Sequence, residues 1–233
     1  MAKRIIQQAR GKGSSTYRVR KQAFRYKLTY PRNLPQGSGK VVKLVSSPAH
    51  TCPLAKVKYS KGVFFMPAFN GMIEGQEIKF LTKETNKGNI VKLKDIPIKT
   101  PIYNIESRPN DGGKFIKTGG NSGFVNRKVG DKVLVVMPSK KEKIFHGDAK
   151  ATIGTIAGEG RLNKPMMKAG KKYHIKKAKS KLWPRTSAVK MNAIDHPFGS
   201  GRGKNPKSKI AKRNAPPGRK VGLLRPKRTG KKK

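Results

Sequence analysis

Acidic side chains are scarce. The 233 residues include 11 Asp and Glu against 56 Lys and Arg, a net charge of +45. Self-repulsion on that scale opposes a compact isolated state and calls for a polyanion. Few acids and four histidines are also a thin inventory for acid–base chemistry. Cysteine occurs once, at Cys52, which excludes an internal disulfide and a cysteine-based zinc site and fits a reduced, intracellular home. The histidines His50, His146, His174 and His196 lack ligand spacing, so no metal and no cofactor is expected. Long apolar runs are missing too. The longest, Val63 to Ala68 and Val133 to Met137, are too short to span a bilayer. The start, Met1-Ala-Lys-Arg-Ile-Ile-Gln-Gln8, has no apolar core, so no targeting segment is expected.

The positive charge is unevenly spread. Fifteen Lys and Arg precede the first acid, Glu74. Residues 74–170 hold 19 basic and 10 acidic residues, the balance of a basic folded domain. Residues 171–233 hold 22 basic residues and one acid, Asp195. Blocks of like charge act as nucleic-acid-binding tails. An anionic membrane fits poorly, because the charge is not gathered on one amphipathic helix.

The middle reads as β structure. Strands are predicted at Val41 to Val45, Ala55 to Tyr59, Val63 to Met66, Ile78 to Leu81 and Ile90 to Leu93. Ser60-Lys-Gly62 turns the second into the third. Asp95-Ile-Pro-Ile-Lys-Thr-Pro101 breaks the pattern, since two prolines do not sit in a central ladder, and is the candidate boundary between two β domains. Further strands are predicted at Ile102 to Ile105, Phe115 to Lys117, Gly123 to Asn126, Asp131 to Met137, Lys143 to His146 and Ala151 to Ile156. Short strands with Gly-rich turns suggest small barrels, and helix content should be low. The resulting division is a basic extension at 1–36, β domains at 37–98 and 99–183, and a basic Gly/Pro-rich extension at 184–233. The ends have too little to bury to offset their ordering entropy and are expected to order on a partner.

Several motifs have a plain reading beside a chemical one. Asn110-Asp-Gly-Gly-Lys-Phe115 could turn amides toward a phosphate, but a β-turn with glycines at positive φ is the simpler reading. Thr118-Gly-Gly-Asn-Ser-Gly123 raises the same question. Neither spells a phosphate-cradling P-loop. His146 with Asp148, and Asp195 with His196, are formally acid–base pairs, yet no nucleophile elbow accompanies them. Trp183 is expected to pack on a barrel, while Tyr17, Phe24 and Phe198 are the better base-stacking candidates.

Met191-Asn-Ala-Ile-Asp-His-Pro-Phe-Gly-Ser-Gly201 resembles the signature loop of the universal large-subunit ribosomal protein L-two family. Pro101-Ile-Tyr-Asn-Ile-Glu106, Asn110–Phe115, Ala151-Thr-Ile-Gly154, Lys181-Leu-Trp-Pro184 and Arg213-Asn-Ala-Pro-Pro-Gly-Arg-Lys-Val-Gly222 resemble further blocks in family order, and Arg10-Gly-Lys-Gly-Ser-Ser15 also fits. They cover about residues 88–229, and Phe198 resembles the archaeal and eukaryotic branch. The resemblance implies a mainly β protein, an OB-fold barrel followed by an SH3-like barrel, with extended basic N- and C-terminal tails. It implies binding to large-subunit ribosomal RNA near the peptidyl transferase centre, with neighbouring large-subunit proteins, a possible contact with the small subunit, and a cytoplasmic, ribosomal location.

The residues expected to contact RNA are Arg4, Arg10, Lys12, Arg18, Arg20, Lys114, Lys190, His196, Arg202, Lys204, Arg213, Arg219 and Lys220, with Asn192 and His196 fixing the loop. Two positions depart from the family pattern. Ser187-Ala188 replaces an Arg-Gly pair, and Ser200 replaces a glycine, which serine can do where φ is negative. Two other function classes remain. His196 oriented by Asp195 would be an enzymatic group in peptidyl transfer, which needs hydrogen-bond reach to the moving proton. A basic DNA-organising protein would need a dimerising or recognition helix, which the sequence does not offer.

Overall fold

Alternating apolar residues build the first strands. The computed structural model describes residues 4–200 and 209–225. Strands β1 (Gly37–Val45), β2 (Leu54–Tyr59), β3 (Gly62–Pro67) and β4 (Glu77–Phe80) are followed by β5 (Ile90–Lys92), β6 (Pro101–Tyr103), β7 (Gly123–Val129), β8 (Lys132–Val136), β9 (Glu142–His146) and β10 (Lys150–Ile153). All ten join one mixed sheet in the order β3-β2-β1-β4-β5-β10-β6-β7-β8-β9. Every pairing is antiparallel except β4 with β5.

This sheet lies within the unit Lys21–Ala169 and has two apolar cores. Val41, Leu54, Val57, Met66, Ile78 and Phe80 gather in one, with Tyr30 and Ile156. Val91, Leu93, Ile102, Val125, Val133, Val135 and Phe145 gather in the other. Neighbours Ile90 and Val91 of β5 enter different cores, because successive strand residues point to opposite faces. Each large side chain buried this way contributes about 1.5–3 kcal/mol. Polar contacts anchor two tyrosines of the first core: Tyr103 donates its hydroxyl to the Pro67 carbonyl at 3.1 Å, and the Tyr30 and Thr152 hydroxyls lie 2.5 Å apart.

Most predicted strands form, with one correction. Phe115 to Lys117 makes only an isolated bridge from Phe115 to Ile105. Ile116 has φ +54° and Asn104 has φ +49°, so neither segment stays extended.

The chain ends form a second unit, Met1–Arg20 with Gly170–Lys233. It contains a 3-10 segment (Ile6–Lys12), the helix α1 (Ala169–Ala178), and a two-residue parallel pair, β11 (Ile210–Ala211) with β12 (Leu223–Leu224). No residue of α1 is buried, so it carried no amphipathic signal. The two ends, expected as separate extensions, pack on each other. The Ser180 hydroxyl donates to the Arg18 carbonyl at 2.7 Å, and Ile5 and Ala211 are buried. Trp183, expected on a barrel, belongs to this terminal unit and lines a cleft with Ile6, Arg10 and Tyr17.

Candidate nucleic-acid interface

Lysines face one another across β1 and β2. Lys40 stands opposite Lys58, and Lys43 opposite Lys56, on either side of a bulge at Val42. Like charges directly opposed in a sheet are destabilising. A carboxylate offsets part of this, since Glu77 of β4 stands on the other side of Lys40. The row then runs on into aromatics. Lys56 opposes Phe65 of β3, whose ring centroid lies 4.8 Å from that of Tyr26, and the Arg25 guanidinium lies 5.9 Å from the Tyr26 ring. Cations followed by half-buried aromatic rings suit a nucleic-acid strand, phosphates on the first and bases on the second. Sequence reading missed this face. The alternating lysines of β2 were visible, but not which residues of β1 they would meet.

The 101–115 region is a structural knot. Glu106 is fully buried and accepts hydrogen bonds from the amides of Asn110 (3.2 Å), Gly112 (3.1 Å) and Lys150 (2.9 Å). The Lys150 ammonium lies 3.7 Å from the Glu106 carboxylate and donates to the Asn110 side-chain oxygen at 2.8 Å. Asp111 accepts from the Ser107 hydroxyl and from the amides of Ser107, Arg108 and Gly113. Burial alone would raise its pKa, but these hydrogen bonds hold the carboxyl below its usual value. Asn110, Gly112 and Gly113 have φ of +67°, +82° and +86°. A side chain at Gly112 would collide with Thr29. The turn's amides are therefore spent on carboxylates, and the plain reading of the motif holds over a phosphate cradle. Lys114 projects from it, exposed. Lys117 does not: its ammonium donates to the Leu28 carbonyl at 2.8 Å, and burial, then repulsion from Lys114, push its pKa down.

The Gly119–Gly120 turn is likewise satisfied, by the Thr51 hydroxyl and the Ile156 carbonyl.

In the terminal unit the expected contacts Arg4, Arg10, Lys12, Arg18 and Arg20 are exposed, as are Lys190, Asn192, Arg213, Arg219 and Lys220. Arg4 and Arg219 line one groove with His196 and Gly218. Arg202 and Lys204 lie outside the described residues. The signature loop closes on itself. The Asn192 carbonyl accepts from the amides of Asp195 (3.0 Å) and His196 (3.2 Å), and the Ser200 amide donates to the Met191 carbonyl (3.1 Å). Gly199 packs so tightly on Asn192 that a side chain there would strike the Asn192 backbone. Ser200 has φ +72°. The negative φ that would suit a serine is thus not adopted, because the loop keeps the left-handed geometry that a glycine favours.

The family model described as Ribosomal Proteins L2, C-terminal domain, matches residues 86–218. A large ribosomal subunit protein uL2 from Archaeoglobus fulgidus is 46% identical over 99% of each chain. One from Methanococcoides burtonii is 44% identical, over 99% of this chain and all of its own, and one from Hyperthermus butylicus is 43% identical over the whole of both. The chain belongs to the ribosomal protein L2 family. Its kinship is with the archaeal form.

Within the L2 family match lie both candidate acid–base pairs, and neither is arranged as an active site. His196 is buried, and its Nδ1 accepts the Phe198 amide at 3.0 Å, with the two rings 5.0 Å apart. That nitrogen anchors the loop. His146 Nδ1 accepts the Asp148 amide at 3.1 Å on an open surface. Asp148 is shared by Lys94 (2.9 Å) and Lys92 (3.2 Å), which hold its pKa below the usual carboxylate range. Among the described residues no three His, Cys, Asp or Glu side chains gather as a metal ion needs.

Proposed function

We propose that this chain is a structural constituent of the large ribosomal subunit, bound to large-subunit ribosomal RNA and acting in translation at the cytoplasmic ribosome. The observation that carries this is end-to-end kinship with large-subunit proteins. The chemistry agrees: opposed lysines on the sheet and a terminal unit whose sole acid is Asp195 call for phosphate as counter-ion. It is a building block and not an enzyme, its histidine serving the loop.

Residues 37–98 form an OB-fold barrel and residues from 99 to the end of the Lys21–Ala169 unit an SH3-like barrel, in keeping with two separate cores in one sheet, while 170–183 fall in the terminal unit. Arg4, Arg10, Lys12, Arg18, Arg20, Lys114, Lys190, Arg202, Lys204, Arg213, Arg219 and Lys220 contact phosphates or base edges. Asn192 and His196 hold the signature loop in shape near the peptidyl transferase centre. Neighbouring large-subunit proteins are further partners, and the chain supports assembly and joining of the small subunit. The test is depletion in cells followed by sucrose-gradient sedimentation. Loss of large subunits, restored by the full chain, is expected. Unchanged subunits, with the chain sedimenting free, would overturn the reading.

A further inference from the structure

The terminal unit holds a cleft of about 330 Å3 that sets aromatic rings among cations. Trp183 and Tyr17, both half-buried, line it with Arg10, Lys176, Lys181 and Arg185. The Lys172 ammonium adds a fifth charge, 5.5 Å from the Trp183 ring centroid. No acid answers them from the local chain: none occurs before Glu74 or between Glu159 and Asp195. The walls are fixed. Arg10 sits in the last turn of the 3-10 segment, and the Lys181 amide closes the end of α1 on the Lys176 carbonyl at 2.9 Å. The Ser180 hydroxyl ties that end to Arg18.

We propose that this cleft receives one unstacked nucleotide of the ribosomal RNA, its base against Trp183 or Tyr17 and its phosphates among Arg10, Lys181 and Arg185. Apolar walls alone would suit a hydrophobic peptide. Cations alone would suit any polyanion. A ring-lined pocket rimmed by cations matches a ligand that is both a flat ring and an anion, and RNA bases that leave their stack take aromatic faces in this way. The inference rests on the RNA-binding reading and goes beyond it by naming a site.

Trp183 is the only tryptophan, so its fluorescence reports this cleft in the unaltered full chain. The chain is titrated with large-subunit ribosomal RNA and, separately, with polyphosphate, which has charge but no bases. Binding is followed in parallel by filter retention. RNA should quench the emission, because a base stacks on the indole ring, while polyphosphate, at equal occupancy, leaves it nearly unchanged. Trp183→Ala should weaken RNA binding by roughly 5- to 150-fold, the equivalent of one lost base stack, and leave polyphosphate binding alone. Retained RNA with unchanged emission would overturn this site and leave the RNA-binding reading standing. Equal quenching by polyphosphate would also overturn it. No RNA retention would overturn both.

Discussion

Lys40 of β1 and Lys58 of β2 stand directly opposite each other, and both are exposed. A sheet built for its own stability would place opposite charges there. The pair therefore marks a conflict between stability of the free chain and attraction for a polyanion. Lys58→Glu should separate the two. It should stabilise the free protein by about 0.2–1 kcal/mol through a new cross-strand pair. The same change should weaken RNA binding and lower the slope of log K against log salt by roughly 0.7–0.9 per lost phosphate contact. Thermal melting and filter binding at several salt concentrations check both directions.

Glu106 is expected to be far more costly to remove than any surface acid. Glu106→Gln leaves the Lys150 ammonium buried without its counter-charge and disturbs a carboxylate that three amides share. Breaking such a pair costs about 3–5 kcal/mol. Denaturant unfolding should show that loss, and a change below 1 kcal/mol would mean the knot contributes little.

Much of this was open to sequence reading. The alternation in Ala55 to Tyr59 and the prolines around 97–101 were enough to place most strands. What escaped depended on pairing across the chain. Ile116 takes a positive φ that is unusual for a β-branched residue, which its local propensity argues against. The helix α1 buries nothing, so it had no periodic stripe to detect. The opposed lysines belong to separate strands, and the Trp183 cleft joins residues 6–17 with 176–185.

The signature loop should tolerate its two small residues differently. Gly199→Ala forces a side chain into the Asn192 backbone, an overpacking cost of about 1–3 kcal/mol. Ser200→Gly should be neutral to mildly stabilising: relief of the left-handed strain, about 1–2 kcal/mol, is only partly offset by the entropy of a glycine, about 0.5–1 kcal/mol. Limited proteolysis within 191–200 should accelerate for the first variant and not for the second.

The 107–113 turn should loosen in acid. Asp111 has a lowered pKa, so its contribution is present above the ordinary carboxylate value and is lost as pH falls through the depressed one. Below about pH 4, the ordinary carboxylate range, the protection of the Ser107, Arg108 and Gly113 amides against exchange, relative to an unstructured chain at the same pH, should be lost. Asp111→Asn should show reduced protection of these amides already at neutral pH, with little further change in protection on acidification.

His196→Ala separates anchoring from chemistry. Loss of the Nδ1 acceptor for the Phe198 amide should reduce assembly of large subunits. Particles that do assemble should form peptide bonds at the normal rate. Normal assembly with lost peptide-bond formation would reverse the assignment of His196 as a loop anchor.

The most direct measurement is crosslinking of the chain to RNA in cells, with sequencing of the bound RNA and sedimentation of the crosslinked particle. The expected result is crosslinks confined to large-subunit ribosomal RNA within a large-subunit particle, with the Asn192–Ser200 loop near the peptidyl transferase centre. Crosslinks scattered over messenger RNA or DNA, on a chain that sediments free, would contradict it.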